Sequence, residues 1–174
     1  MSKTTVKKAL AEFGEEELRG LILDLYAKSK EAKTLLDFYA VPDLDAKRAG
    51  AEADARKEIT RRKRRRPAPR MSAIRAIVKK FMLFEPDAES VTRLRIRIIE
   101  MIASIGASDW FPDMFYIHVE NFVRETVDHI ILSRSDVEYH LSTLARIGES
   151  IRRIGTFTNP LQRAITAPLA REAE

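Results

Sequence analysis

Residues 87–106 read "DAESVTRLRIRIIEMIASIG". Asp87 is a residue type that caps helix starts, because its carboxylate can accept a backbone N–H of the first turn. Beyond it, Val91, Leu94, Ile98, Met101, Ile102 and Ile105 recur at helical spacing, and Ile96 and Ile99 widen the apolar surface. A helix with so broad an apolar face belongs at the centre of a bundle.

Working outward toward the C-terminus, "DWFPDMFYIHVENFVRETVDHIIL" (residues 109–132) predicts a long aromatic-rich helix beginning after Pro112. Ser135 and Glu138 form a capping-box pattern for a helix carrying Val137, Leu141, Leu144, Ile151 and Ile154, with Gly155 as its stop. "PLQRAITAPLAREAE" (160–174) predicts a short final helix and a frayed tail. Toward the N-terminus, Ile74, Ile77, Val78 and Phe81 mark a core-facing helix after "PAPR" (67–70). Three short helices come first. Val6, Leu10 and Phe13 stop near Gly14, and Leu18, Leu21, Ile22 and Leu25 follow the acidic turn Glu15–Glu17. Leu35, Leu36 and Tyr39 end at Pro42.

Between these groups, "DLDAKRAGAEADARKEITRRKRRR" (43–66) is rich in good helix formers. Its apolar stripe of Leu44, Ala51, Ala55 and Ile59 is narrow, which predicts a largely solvated, projecting helix. Pro67 disfavours helical geometry at Arg66, so that helix is expected to end within the basic run. No stretch alternates apolar and polar residues with β-branched enrichment, so no sheet is expected. The fold class predicted is all-α, an irregular multi-helix bundle or short superhelix of about eight to nine helices. It is read as one domain over 1–174, with an N-terminal helical hairpin (1–41), a solvated helix and basic linker (43–70) and a main body (71–158).

The composition, 45% hydrophobic and 33% charged, suits a globular helical chain, and 174 residues can bury a core without covalent staples. There is no cysteine, which removes disulfides, thiolate nucleophiles and Cys-based zinc sites. No apolar run is long enough to span a bilayer, and "MSKTTVKKALAEF" lacks the apolar region of a secretory signal. A cytoplasmic protein without membrane insertion is expected. The net charge of +5 conceals an asymmetry: residues 57–80 hold eleven cations against Glu58 alone, a local +10, which leaves −5 for the remainder.

"KKALAEFGEEELRGLILDLYAKSKEAKTLLDFYAVPD" (7–43), with "RMSAIRAIVKKF" (70–81), "EPDAESV" (85–91) and "DMFYIHVENF" (113–122), resembles an uncharacterised family of small bacterial all-helical proteins of unknown function. The resemblance covers roughly residues 6–130. This chain departs from it in a denser arginine run and in its C-terminal segment. It implies a helical fold and carries over no functional residue.

"ITRRKRRRPAPRM" (59–71) sets six cations side by side. In a helix, five like-charged pairs would fall on neighbouring turns and oppose helix formation by about 1–2.5 kcal/mol in total. A free chain relaxes this by fraying or extending; a polyanion relieves it by accepting guanidinium forks and releasing counterions. The expectation is a non-enzymatic binding protein that contacts nucleic acid, or another polyanion, without sequence preference. The residues expected to bear phosphate contacts are Arg61, Arg62, Lys63, Arg64, Arg65, Arg66 and Arg70, extended by Arg75 and Lys79. No aromatic residue interleaves the run, so base stacking is not indicated.

The rival expectation is a protein-interaction or self-associating helical scaffold, with the run merely solvated; it requires a sizeable exposed apolar patch. His118, His129 and His140 lie eleven apart and lack the i, i+3 or i, i+4 spacing of paired ligands on one helix, so no metal site is expected. No Gly-rich phosphate loop, nucleophile elbow or His-Glu-x-x-His occurs, so no cofactor is expected either. The aromatic group Trp110, Phe111, Phe115, Tyr116 and Phe122 reads as packing core.

Overall fold

The computed structural model describes residues 2–108, 110–134, 136–151 and 159–170. Ser135, Ile154, Gly155 and the tail from residue 171, each given a role above, lie outside them. Among the described residues the protein is all-α, with nine α-helices and one very small β-hairpin. It divides into two compact units, Met1–Asp43 and Leu44–Glu174.

The first unit holds α1 (Lys3–Leu10), α2 (Glu15–Lys28) and α3 (Lys30–Ala40). The Gly14 N–H donates to the Glu17 carboxylate at 2.8 Å, which settles the start of α2, and the Ser29 hydroxyl accepts the Ala32 N–H at 3.2 Å to start α3. α2 lies along α3, tied by the Tyr26 hydroxyl donating to Asp37 at 2.9 Å and by the Lys33 ammonium 5.3 Å from the Tyr26 ring. None of the three helices fully buries a side chain.

The second unit runs α4 (Leu44–Ile59), β1 (Arg62–Lys63), β2 (Arg66–Pro67), α5 (Met71–Phe81), a 3₁₀ turn (Met82–Phe84), α6 (Ala88–Gly106), α7 (Asp113–Ser133), α8 (Val137–Ser150) and α9 (Pro160–Ala170). α6 is central. Asp87 caps it by accepting the Ser90 N–H at 2.6 Å; Leu94, Ile98, Ile99 and Ile102 are wholly buried, and α4, α5, α7, α8 and α9 all pack on it. α7 begins directly after Pro112, as expected, and buries Phe115, Phe122 and Ile130. α8 ends at Ser150, so Ile151 leaves the helix in an extended conformation rather than continuing it.

One expectation needs correction. α4 does not project: its narrow stripe is enough to seat it, because Ala55 and Ile59 are fully buried against α5 and α6, while Leu44 and Ala51 pack at the margin. Small residues let a helix approach its neighbours closely, so a thin stripe buries well. The short final helix, by contrast, stands where it was expected, over Pro160–Ala170. Leu161, Ala164 and Ile165 are buried where α9 packs along α7 and α8. Glycines make room for it. A Cβ at Gly148 would stand 2.6 Å from the Thr166 methyl, and one at Gly106 would collide with Leu161.

Ile59→Ala decides between a solvated and a seated α4. For a side chain this buried the cost to the second unit should be about 2–5 kcal/mol, against less than about 0.5 kcal/mol at a solvated position. Urea unfolding followed by circular dichroism measures it.

Candidate nucleic-acid interface

The basic run forms neither a helix nor a helix end. α4 stops at Ile59, before the first cation, and the chain enters an antiparallel β-hairpin with Arg62 opposite Pro67 and Lys63 opposite Arg66. The absence of any sheet was therefore a wrong expectation. Alternation of apolar residues is not what makes this pair of strands; like-charge repulsion disfavours the helix, and Pro67, which has no N–H to give, is tolerated on an edge strand. The two turn residues, Arg64 and Arg65, have φ of 50° and 66°. Two successive left-handed residues are the turn that matches strand twist, a place normally held by Asn-Gly. Arginine there costs about 1–2 kcal/mol per residue.

The root of the hairpin is held on both sides. Ala68 N–H donates to the Arg61 carbonyl at 2.8 Å, and Arg61 Nη1 donates to the Ala68 carbonyl at 2.7 Å. Below it, the Glu58 carboxylate accepts three N–H groups of Arg70: the backbone N–H at 3.0 Å, and Nε and Nη2 each at 2.9 Å. Glu58 is the last acid before the run and its side chain is only 11% exposed. The Arg70 hydrogen bonds, above all, hold its carboxyl below the ordinary value of 4.5, against the opposing effect of burial.

The predicted site residues are placed in different ways: Arg61 is at the hairpin root, bonded to the Ala68 carbonyl. Arg62, Lys63, Arg64, Arg65 and Arg66 are exposed on the hairpin, and Lys63, Arg64 and Arg66 line a shallow depression. Among the described residues Lys63, Arg64, Arg65 and Arg66 form no salt bridge; Arg62 Nη1 donates to the Arg65 carbonyl at 3.3 Å. Arg70 and Arg75 are already engaged, Arg70 with Glu58 and Arg75 with Glu125 through a fork of 2.8 and 3.2 Å. Both nonetheless line one groove of about 350 Å³ at the foot of the hairpin, together with Ser72, Met114, Phe115 and His118. Lys79 is exposed one turn beyond Arg75 on α5 and does not line that groove.

Arg95 went unnoticed in the sequence, though it interrupts the apolar run of α6. Its guanidinium lies 5.4 Å from the Phe122 ring, and burial lowers its affinity for a proton while the nearby Glu125 opposes that. Glu125 thus serves Arg75 by contact and Arg95 by its field. His129 Nε2 lies 3.2 Å from the Ala88 carbonyl, and the buried His140 pairs through Nε2 with Glu89 at 2.8 Å. Both tie neighbouring helices to the start of α6. Among the described residues no group of His, Asp and Glu could hold a metal ion. In the aromatic group, Phe111, Phe115 and Phe122 are core and the Tyr116 hydroxyl accepts the Phe111 N–H at 3.0 Å, whereas Trp110 is exposed.

Fold and site together define an all-helical protein that carries a cationic β-hairpin between two helices of its core. The chain belongs to the Family of unknown function (DUF6155), whose sequence model matches residues 1–157 and so takes in the whole basic run. No curated protein and no solved structure matches the chain.

Loss of the Glu58 carboxylate should free the hairpin root. Glu58→Gln is expected to speed tryptic nicking within residues 61–66 by roughly three- to tenfold, read by mass spectrometry after brief digestion. Because the folded-state value is depressed, the clasp is fully present above 4.5 and is lost only as pH falls below that value. Acid titration should therefore leave the Arg70 amide signal in NMR unmoved down to 4.5 and shift it only at lower pH, as the Glu58 carboxylate takes up a proton.

Proposed function

We propose that the protein is a non-enzymatic binder of nucleic acid, gripping the phosphate backbone with the β-hairpin of residues 61–67 and reading no base sequence. The observation that carries this reading is that the hairpin works against itself. Lys63 stands directly across from Arg66, and like charges so placed are destabilising. Arg64 and Arg65 occupy a left-handed turn that neither side chain favours. Four cations are held in this arrangement without a carboxylate to relieve it among the described residues, although Glu58 a few residues away pairs with Arg70. A backbone of phosphates supplies the missing counter-charge, and a two-stranded ribbon is narrow enough for a nucleic-acid groove. With no aromatic residue on the hairpin, contact with phosphate dominates over base stacking. The groove lined by Arg70, Arg75 and His118 lies at the foot of the hairpin, although both of its guanidinium groups already have carboxylate partners.

No helix of the described residues is long and apolar enough to cross a membrane. A cytoplasmic setting, where nucleic acid is at hand, fits the reading.

Fluorescence anisotropy with mixed-sequence RNA and DNA oligonucleotides tests it. Four to six engaged phosphates give a slope of log K against log salt of about −3 to −5. Replacing residues 61–66 by glutamine should abolish binding, whereas Arg75→Gln should weaken it much less because that guanidinium already has a partner. Binding indifferent to salt, or intact in the glutamine variant, would refute the proposal.

A second variant separates function from fold. Changing Arg64→Asn together with Arg65→Gly gives the turn its preferred residues and should steady the hairpin by about 2–4 kcal/mol, seen as slower hydrogen exchange at the Ala68 amide. The same change should lower the salt slope by about 2.

A further inference from the structure

Arg95 keeps two of its donors unmatched. It stands on α6 between Leu94 and Ile96, and its Nε and Nη1 are shut off from water and meet no acceptor among the described residues. Its guanidinium lies 5.4 Å from the Phe122 ring, a favourable contact that leaves those N–H groups unsatisfied. A buried charged donor without an acceptor is among the costlier arrangements a fold retains. Its neighbours one turn away on α6, Val91, Thr92, Ile98 and Ile99, include no acid, and the carboxylate whose field reaches it is that of Glu125.

Glu125 is committed elsewhere. Its two oxygens accept Nε and Nη2 of Arg75, on α5, at 3.2 and 2.8 Å. That pair is open to solvent, with 34% of the Arg75 side chain and 46% of the Glu125 side chain exposed, so it is weak and screened by salt. Glu125 also follows Phe122 by three residues on α7, which sets the two side chains on adjoining turns of one face. The ring that Arg95 approaches and the carboxylate that Arg75 holds are therefore neighbours. One carboxylate has a cation in hand and a second within a turn's reach.

We propose that Glu125 is handed from Arg75 to Arg95 when a phosphate group takes its place on Arg75, which makes Arg95 the positioning residue that opens this part of the cationic surface. The proposal rests on the polyanion reading and supplies what that reading lacks at the foot of the hairpin, where Arg75 lines the groove but is already paired. A phosphate offers the Arg75 guanidinium a fork equivalent to the one it gives up. The displaced carboxylate turns about its own side-chain bonds to the unmatched donors of Arg95, so it does not leave a cation uncompensated on either side. The ligand shifts the balance because it acts on one of the two arrangements alone.

The Arg95 Nε–H signal in NMR reads the hand-over directly. Arg75→Met keeps an apolar stem and offers Glu125 no donor, so with no ligand present the exchange of that proton with water should slow by roughly fivefold. A saturating mixed-sequence DNA oligonucleotide should do the same to the unaltered protein, and should not do so in Glu125→Gln. Affinity supplies the second arm. Arg95→Met traps Glu125 on Arg75 and should flatten the slope of log K against log salt by about 1, and adding Glu125→Gln to it should restore the slope. A merely structural loss at Arg95 would not be rescued in this way. An Arg95 signal unmoved by Arg75→Met overturns the hand-over whether or not the oligonucleotide binds. Binding that leaves the signal in place, or a slope untouched by Arg95→Met, also overturns it and leaves the polyanion reading standing. An oligonucleotide that does not bind the unaltered protein at all removes that reading, and this proposal with it.

Discussion

One carboxylate governs the passage from α4 to α5. Glu58 receives the backbone N–H, Nε and Nη2 of Arg70, and so joins the last turn of one core helix to the residue that precedes the next. Eleven residues of chain, 59–69, must leave and return between those two points. Ile59 and Met71, each fully buried, fix the same two points in the core from below. Everything between them therefore has its ends set, and a short ribbon is what spans them while keeping six adjacent cations out of the helical register in which they would repel most. The clasp takes one cation out of circulation, while residues 62–66 stay exposed on the hairpin.

How far this architecture could be read from the residues depends on which force was acting. The core helices were legible because burial imposes a 3.6-residue period, and α6 with its double apolar face announced its central place. Asp87 and Pro112 marked helix starts by backbone chemistry alone, and both stand where expected. The seating of α4 was not legible, because Ala55 counts as a weak apolar residue in a sequence and as a close contact in a packed interior. How firmly α9 packs was hidden for a related reason. What makes its bed is the absence of side chains at Gly106 and Gly148, residues far from it in the chain.

The candidate site was half legible. A run of cations is conspicuous, and its incompatibility with a helix follows from charge spacing. That it closes as a β-hairpin could not be read, since Arg64 and Arg65 are not turn formers and no glycine or asparagine marks the reversal. The sorting of cations into engaged and unengaged ones was equally hidden: Arg75 meets Glu125 fifty residues away, and nothing local announces that pair. Arg95 shows the opposite failure, a charge that looks like a solvated interruption of α6 and instead lies against an aromatic ring in partial burial.

The position of α9 has a bearing on where the molecule can be shortened. The family's matched region closes at residue 157, three residues before this helix starts at Pro160. A chain cut at that boundary would keep every shared motif yet lose Leu161 and Ile165, leaving the flanks of α7 and α8 stripped and the two glycine notches empty. The part of the protein that looks most dispensable by kinship is one its interior cannot do without.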